Sequence, residues 1–347
     1  MTRVGARAFL ALLRSWPEAP DRPPPVDAEA FVRAAARHGL GGFAQHAAER
    51  AGWTLPDAAR EALRREAQSS AARAIRVHAL LVRSVDALAA VGVVPVLLKG
   101  TALARRLYPE PFLRATTDVD LLVASGEVER ASRALEGLGL KRAAERPGHG
   151  GEHSHHLEFQ GTAGMVELHH RALVGYGLAL ESEPLLAHAQ EAELEGRRVR
   201  HLRAEEELVY LCSHASNHLL QRLSWLFDVK LLLRAHPGLR WYRVADVARA
   251  TAFSHLAWYA LEATHRLLGA PMPEEVLALM APPRWQRVLA RRFFSEERLL
   301  ATRLVTHRAE WATAKLLLAP RAVPMARYGL WRLGEAARAR WPGAARR

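Results

Sequence analysis

From Leu55 to about Ala90 the apolar positions recur at helical spacing with arginines between them, which predicts one long amphipathic helix or two in tandem. Residues 1–92 read as helices throughout: Pro23-Pro24-Pro25 would end a short first helix, and Asp27 would cap the next. At Val91 the period changes. VGVVPVLLKG is a compact β-branched run closed by glycine and predicts a strand, followed by a short helix in TALARRLY and a loop at YPEPF. TDVDLLV predicts a second strand. SGEVERASRALEGLG predicts a helix with Ser125 as its cap and Glu127 and Glu129 in its first turns, and LKRAAE a third strand. HHLEFQ and GMVELHH predict two strands joined by GTAG, and EAELEGRRVRHL a further hairpin turning at Glu195-Gly196. From Ala204 the helical period returns. One long helix would run to the stop at His236-Pro237-Gly238, with further segments at about 241–269, 273–280, 284–318 and 322–340. The layout predicts an α+β fold: a small mixed β-sheet in residues 93–203, between an N-terminal helical region (1–92) and a C-terminal helical domain (204–347).

The second strand carries charge where a buried strand should not. Alternation sends Asp118 and Asp120 to one face of TDVDLLV and Val119, Leu121 and Val123 to the other. Two like charges on neighbouring same-face positions repel, so the pattern calls for a positive partner. A divalent cation is one solution, because hard carboxylate oxygens suit Mg²⁺. A bridging arginine such as Arg114, or exposure at a sheet edge, is another. Gly100-Thr101 stands where the first strand ends and a helix begins, with Lys99 beside it. Backbone N–H groups there, the Thr101 hydroxyl and the Lys99 charge would make a phosphate cradle; an ordinary strand-to-helix turn accounts for the same residues. In GMVELHH, Val166 and Leu168 take the core parity, and Glu167 and His169 the other. If this strand lies beside TDVDLLV, Glu167 joins the two aspartates, with Glu158 of HHLEFQ as a competitor. Three carboxylates can hold two Mg²⁺ ions across a phosphoryl displacement.

Composition changes the picture only modestly. The formal net charge of +13 invites a nucleic-acid partner, but among 49 basic residues only Lys99, Lys141, Lys230 and Lys315 are lysine. An arginine- and alanine-rich surface of this kind reflects a GC-rich genome as readily as a binding function, and an anionic small substrate needs a positive site too. Cys212 is the only cysteine, which leaves no disulfide within the chain and fits a reducing cytoplasm. No stretch reaches the length of an apolar membrane span. Residues 320–347 interleave seven arginines with Tyr328, Trp331 and Trp341; this segment either grips a nucleic-acid backbone, lies on an anionic membrane, or packs its apolar side on the helical bundle.

The string LLKGTAL…LYPEPFLRATTDVDLLV, with MVELHHRAL after it, resembles the uncharacterised nucleotidyltransferase family of the DNA polymerase β-like superfamily. That superfamily pairs a Gly-Ser or Gly-Gly turn with an Asp-x-Asp strand and a later acidic strand. The likeness extends into LCSHASNHLLQRLSWLFDVKLLL, where such proteins carry a His-rich segment before an Arg and an Asp, and spans about residues 90–270. It implies a Mg²⁺-dependent enzyme (Mn²⁺ as a substitute) that moves a nucleoside monophosphate from an NTP to an acceptor and releases pyrophosphate. Asp118, Asp120 and Glu167 would be the catalytic metal ligands. Lys99, Gly100 and Thr101 would hold the triphosphate, and Arg114 would neutralise phosphate or order its loop. The pattern departs in three places: the gap from Thr101 to Asp118 is long, the third acid is Glu where Asp is commoner, and His170 fills an aromatic position. The acceptor, whether protein, peptide, small molecule or RNA end, is not implied.

Seventeen histidines stand out. His149, His153, His155 and His156 precede Glu167, and His169 and His170 follow it. His214, His218 and Arg222 are spaced by four and would share one helix face, lining the nucleotide cleft. His155, His156 and His169 would line it from the sheet. A His pair at i and i+4 is also half a zinc site, although HASNH lacks the glutamate of the HExxH metalloprotease motif. Two alternatives to the transferase follow: a non-catalytic nucleotide- or nucleic-acid-binding protein on the same fold, and a zinc-dependent hydrolase.

Overall fold

The computed structural model describes residues 2–20, 27–144, 154–301, 304–305 and 307–319. The Pro23–Pro25 break, His149, His153 and the arginine-rich C-terminal segment lie outside them. Four helices open the chain: α1 (Thr2–Ser15), α2 (Ala28–Arg37), α3 (Gly41–Arg50) and α4 (Asp57–Ala90). Asp27 caps α2 as expected, its carboxylate accepting from Ala30 N at 2.9 Å. The 55–90 pattern forms a single helix of 34 residues. Then come β1 (Val96–Leu97), α5 (Thr101–Leu107), β2 (Asp118–Leu122), α6 (Val128–Gly137), β3 (Lys141–Arg142), β4 (His156–Gly161) and β5 (Gly164–His169). Next are β6 (Arg171–Gly175), β7 (Leu178–Glu181), α7 (Ser182–His188), β8 (Gln190–Leu194) and β9 (Arg197–His201). The chain closes with α8 (Ala204–Asn217), α9 (Leu223–Ala235), α10 (Trp241–Ala250), α11 (Ser254–Leu268), α12 (Glu274–Met280), α13 (Arg284–Phe293), α14 (Glu296–Leu300) and α15 (Arg308–Leu318).

The architecture is α+β, around a mixed seven-stranded sheet of order β3-β4-β5-β2-β1-β9-β8. Strand β2 runs parallel to β5 and antiparallel to β1, while β4 and β5 form the hairpin expected around GTAG. One sheet face is apolar. Val119, Leu121, Val123, Val166, Leu168 and Phe159 pack there with Val77, Leu80, Leu81, Val85 and Leu88 of α4 and with Ala131 and Leu135 of α6. Burial of such a side chain contributes roughly 1.5–3 kcal/mol, so this face fixes the strand parity firmly. A second, larger core joins the N-terminal helices to α8–α15 and reaches the sheet at Val96, Leu98 and Leu122. Buried polar contacts cross it: Leu223 N donates to His38 Nδ1 at 3.1 Å, and Lys230 Nζ to Leu13 O at 2.8 Å. Burial pushes the His38 imidazole down to about 3, which keeps it a neutral acceptor.

Several sequence expectations are corrected. The single helix from 204 to 235 is two helices, because Leu219 and Leu220 both adopt positive φ (59° and 53°). Each costs about 1–2 kcal/mol in that region, and burying both leucines offsets it. The 241–269 segment breaks in the same way at Ala252 (φ 61°), which drives Phe253 into the core. The 284–318 segment is three helices. Ser125 does not cap α6: it begins a short 3₁₀ turn, and Glu127 occupies the cap position. The β6–β7 ribbon was not expected, since RALVGYGLAL lacks clean alternation.

Candidate active site

The polar face of the sheet carries chemistry in rows. Asp120 on β2 pairs in register with Glu167 on β5, which pairs with Glu158 on β4. One row along, Leu122 pairs with His169, and His169 with His156. Asp118 stands on the same face opposite Met165. This is the parity the sequence predicted, and the parallel β2–β5 pairing brings Glu167 to the aspartates. A cavity of about 760 Å³ opens over these rows, a volume suited to a nucleotide-sized ligand. Its sheet side includes Lys99, Gly100, Asp118, Asp120, Glu158 and Glu167, with His155, His156 and His169. Its other side includes Tyr176 in the β6–β7 turn and, from the helical region, Tyr210, His214, His218, Arg222, Trp225 and Lys315.

At the floor, the Lys99 ammonium is ion-paired to Asp120 and lies 3.5 Å from Glu167 Oε2. It is therefore the counter-charge of the carboxylates in this structure, a contact its position in the sequence did not disclose. His169 Nε2 is 3.3 Å from both Asp120 Oδ1 and Glu167 Oε2. Burial opposes charge on every one of these groups, and their mutual contacts decide the outcome. Lys99 is held well above its ordinary value by Asp120 chiefly, and Asp120 is held low by Lys99 and the His169 hydrogen bond. Glu167 is likewise held low by His169 and Lys99, and His169 is raised by its two carboxylate partners. Asp118 behaves differently. Burial, then the neighbouring Asp120 charge, push it up to about 6 against the pull of Lys99.

The two aspartates should therefore affect folding with opposite signs. Asp118 has its pKa raised in the folded state, so above pH 6 its ionisation lowers stability, by up to about 3 kcal/mol, and that cost disappears as pH falls toward the unfolded value. Asp120 has its pKa depressed, so its charge stabilises the fold at neutral pH. With divalent cations chelated at pH 7.5, Asp118→Asn is expected to raise the melting temperature and Asp120→Asn to lower it. The Asp118→Asn gain should shrink as pH drops below about 6. Melting curves of both variants from pH 5 to 8 check this; equal losses in both would contradict it.

Gly100 sits at φ 68°, a conformation only glycine adopts readily, and a Cβ there would lie 3.2 Å from Asp120 Oδ2. The glycine thus lets backbone approach the carboxylate. Thr101 turns away: its hydroxyl is buried, contacts Thr116 Oγ1 at 3.3 Å, and does not line the cavity. Arg114 lines the cavity, but its guanidinium is already engaged with a carboxylate. Its Nε donates to Asp228 Oδ1 at 2.9 Å and its Nη2 to Oδ2 at 2.8 Å, and Tyr108 adds a third donor to Asp228 at 2.7 Å. Of the two roles expected for Arg114, the contacts match loop ordering: they tie the segment before β2 to α9.

His214, His218 and Arg222 all reach the cavity, though not along one helix, since α8 ends at Asn217. The two imidazoles lie 4.6 Å apart against Trp225, and Arg222 lies over the Trp225 ring at 5.9 Å. Among the described residues they join no group of three close metal-ligating atoms. Burial lowers both, His218 to about 4. Tyr210 was missed. It lies four residues before His214 on the same face, so the histidine stripe pointed to it. Its buried hydroxyl has no hydrogen-bond partner among the described residues. Trp225 and Lys315 gave no comparable signal.

The donor set fits a hard divalent ion. Asp120 Oδ2 is buried without a hydrogen-bond partner among the described residues, beside the space Gly100 leaves, and Asp120, Glu167 and His169 bring ligand atoms within 4.8 Å of one another. Asp118 lies outside that tight group. No match was found among curated proteins. A family model described as uncharacterised nucleotidyltransferase matches residues 24–269, a span that takes in Gly100, the carboxylate strands, α8 and α9. The chain belongs to that family of nucleotidyltransferases.

Proposed function

We propose that the protein transfers a nucleoside monophosphate from an NTP to an acceptor with release of pyrophosphate, dependent on Mg²⁺ or Mn²⁺. The observation that carries this reading is the in-register Asp120–Glu167 pair on adjacent parallel strands, with Asp118 on the same face, under a nucleotide-sized cavity. Asp118, Asp120 and Glu167 would hold the cation. When bound, it supplies charge neutralisation at the transferring phosphorus and its flanking oxygens. The chain's own part is positioning. Gly100 presents backbone beside Asp120, and the absence of a Cβ leaves room for a phosphate oxygen. Helix α5 has only seven residues, so backbone approach at Gly100 matters more here than a helix dipole. Lys99, shared between Asp120 and Glu167, is a cation within reach of an entering triphosphate at the cavity floor and divides its charge between the carboxylates and the phosphates. His169 bonds both carboxylates and fixes their orientation. The acceptor oxygen forms a bond to the α-phosphorus as the bond to pyrophosphate breaks, a step in which positioning and electrostatics do most of the work.

Label position tests the reaction class. Incubated with Mg²⁺ and a mixture of candidate acceptors, the protein should transfer label from α-labelled NTP and none from γ-labelled NTP. Transfer of γ label would make it a kinase; with no transfer from any NTP, mass spectrometry for nucleotide adducts should also find none, and the reading fails.

A further inference from the structure

Three imidazoles meet at the edge of the carboxylate row. His156 on β4 is in register with His169 on β5, and His155 stands one residue before β4, where the pleat no longer dictates its direction. The ring centroids are 4.3 Å (His155–His156), 5.1 Å (His156–His169) and 5.5 Å (His155–His169) apart. Each ring offers one nitrogen within 4.8 Å of the other two. A packed cluster of histidines normally satisfies its nitrogens. Here Nδ1 of His156 and Nδ1 of His169, a residue only 1% exposed, are buried with no partner among the described residues. Leaving such atoms unpaired costs about 1–3 kcal/mol each. The opposite nitrogens face acids. His169 Nε2 meets Asp120 and Glu167 at 3.3 Å, and His156 Nε2 lies 3.6 Å from Glu158 and 3.9 Å from Glu167. A carboxylate on one ring nitrogen with a lone pair left on the other is the usual second shell of a metal-bound histidine.

We propose that His155, His156 and His169 form a binding site for a d-block divalent cation of the zinc class, adjoining the hard carboxylate site, with His169 common to both. Nitrogen donors select such ions over Mg²⁺, and three histidines leave one coordination position open. All three residues line the cavity, so that position takes an oxygen donor from within it. The inference does not rest on the transferase reading.

The test uses the full chain stripped of metal and titrated with Co²⁺ without nucleotide. One Co²⁺ per chain should bind with the visible absorption of nitrogen-rich tetrahedral coordination, and Zn²⁺ should displace it. His155→Gln and His156→Gln should each weaken binding at least about tenfold, while Asp118→Asn changes it little. Circular dichroism confirms folding; His155 and His156 lie outside the apolar cores, so folded variants are expected. A second substitution at each position, to Ala, guards against residual ligation by Gln. The proposal is overturned if Co²⁺ binds without those bands, if the histidine variants bind as tightly as the parent, or if only Asp118→Asn abolishes binding. Loss of Mg²⁺-dependent transfer would leave this result untouched, and the converse also holds.

Discussion

Replacing both Asp118 and Asp120 with asparagine is expected to reduce Mg²⁺-dependent label transfer by at least about a thousandfold. The amide keeps the shape of the carboxylate and removes both negative charges from the polar face of β2. Glu167 alone then faces Lys99, which has lost its partner at Asp120 and pairs with Glu167 instead. Two measurements separate loss of chemistry from loss of fold. The melting effects of the single substitutions oppose one another, and because the two carboxylates interact directly their effects do not simply add, so the melting curve and circular dichroism of the double variant establish its fold separately. Its nucleotide affinity without metal should change far less than its turnover. Single-turnover transfer beside metal-free nucleotide binding measures both. A double variant that retains transfer would remove Asp118 and Asp120 from the mechanism.

The second large effect lies away from the cavity floor. Arg114→Ala leaves Asp228, 1% exposed, as a buried carboxylate with Tyr108 as its remaining side-chain donor. Breaking one side of such a pair costs about 3–5 kcal/mol. Arg114 lies four residues before Asp118, so the same substitution loosens the segment that sets the start of β2. Denaturant unfolding of Arg114→Ala should show that loss. Replacing both partners together, Arg114→Leu with Asp228→Leu, should recover much of it, because no unpaired charge remains. If the double replacement is as unstable as the single one, the pair acts through geometry rather than charge.

The contrast between these regions shows what the sequence discloses. Strand parity was legible because Val119, Leu121, Val166 and Leu168 alternate cleanly with acids, and period two leaves one assignment that buries them. From that parity, the meeting of Asp120 and Glu167 needed only a neighbouring parallel strand. Lys99 was read as a phosphate ligand because its local context is a turn. Its ion pair with Asp120 depends on cross-strand register, which no local pattern carries. The break after Asn217 was invisible for a different reason: Leu219 and Leu220 are as apolar in a helix as in a left-handed turn, and only tertiary burial decides between the two. The histidine cluster was half legible. Alternation alone would have put His155 and His156 on opposite faces, and their convergence follows from β4 starting at His156.

The in-register rows also constrain how such a chain can change over time. In β2, β4 and β5 one alternation places both the acids over the cavity and the valines and leucines under it. A single-residue insertion or deletion inside any of these strands would exchange the two sets, putting carboxylates into the core and aliphatic groups into the site. Stability and chemistry would fail in the same event, so no intermediate sequence could keep one while losing the other. Changes in length must therefore accumulate in the connections, such as the long one between Thr101 and Asp118, whose tether at Arg114 lets it lengthen while the strand it feeds keeps its register.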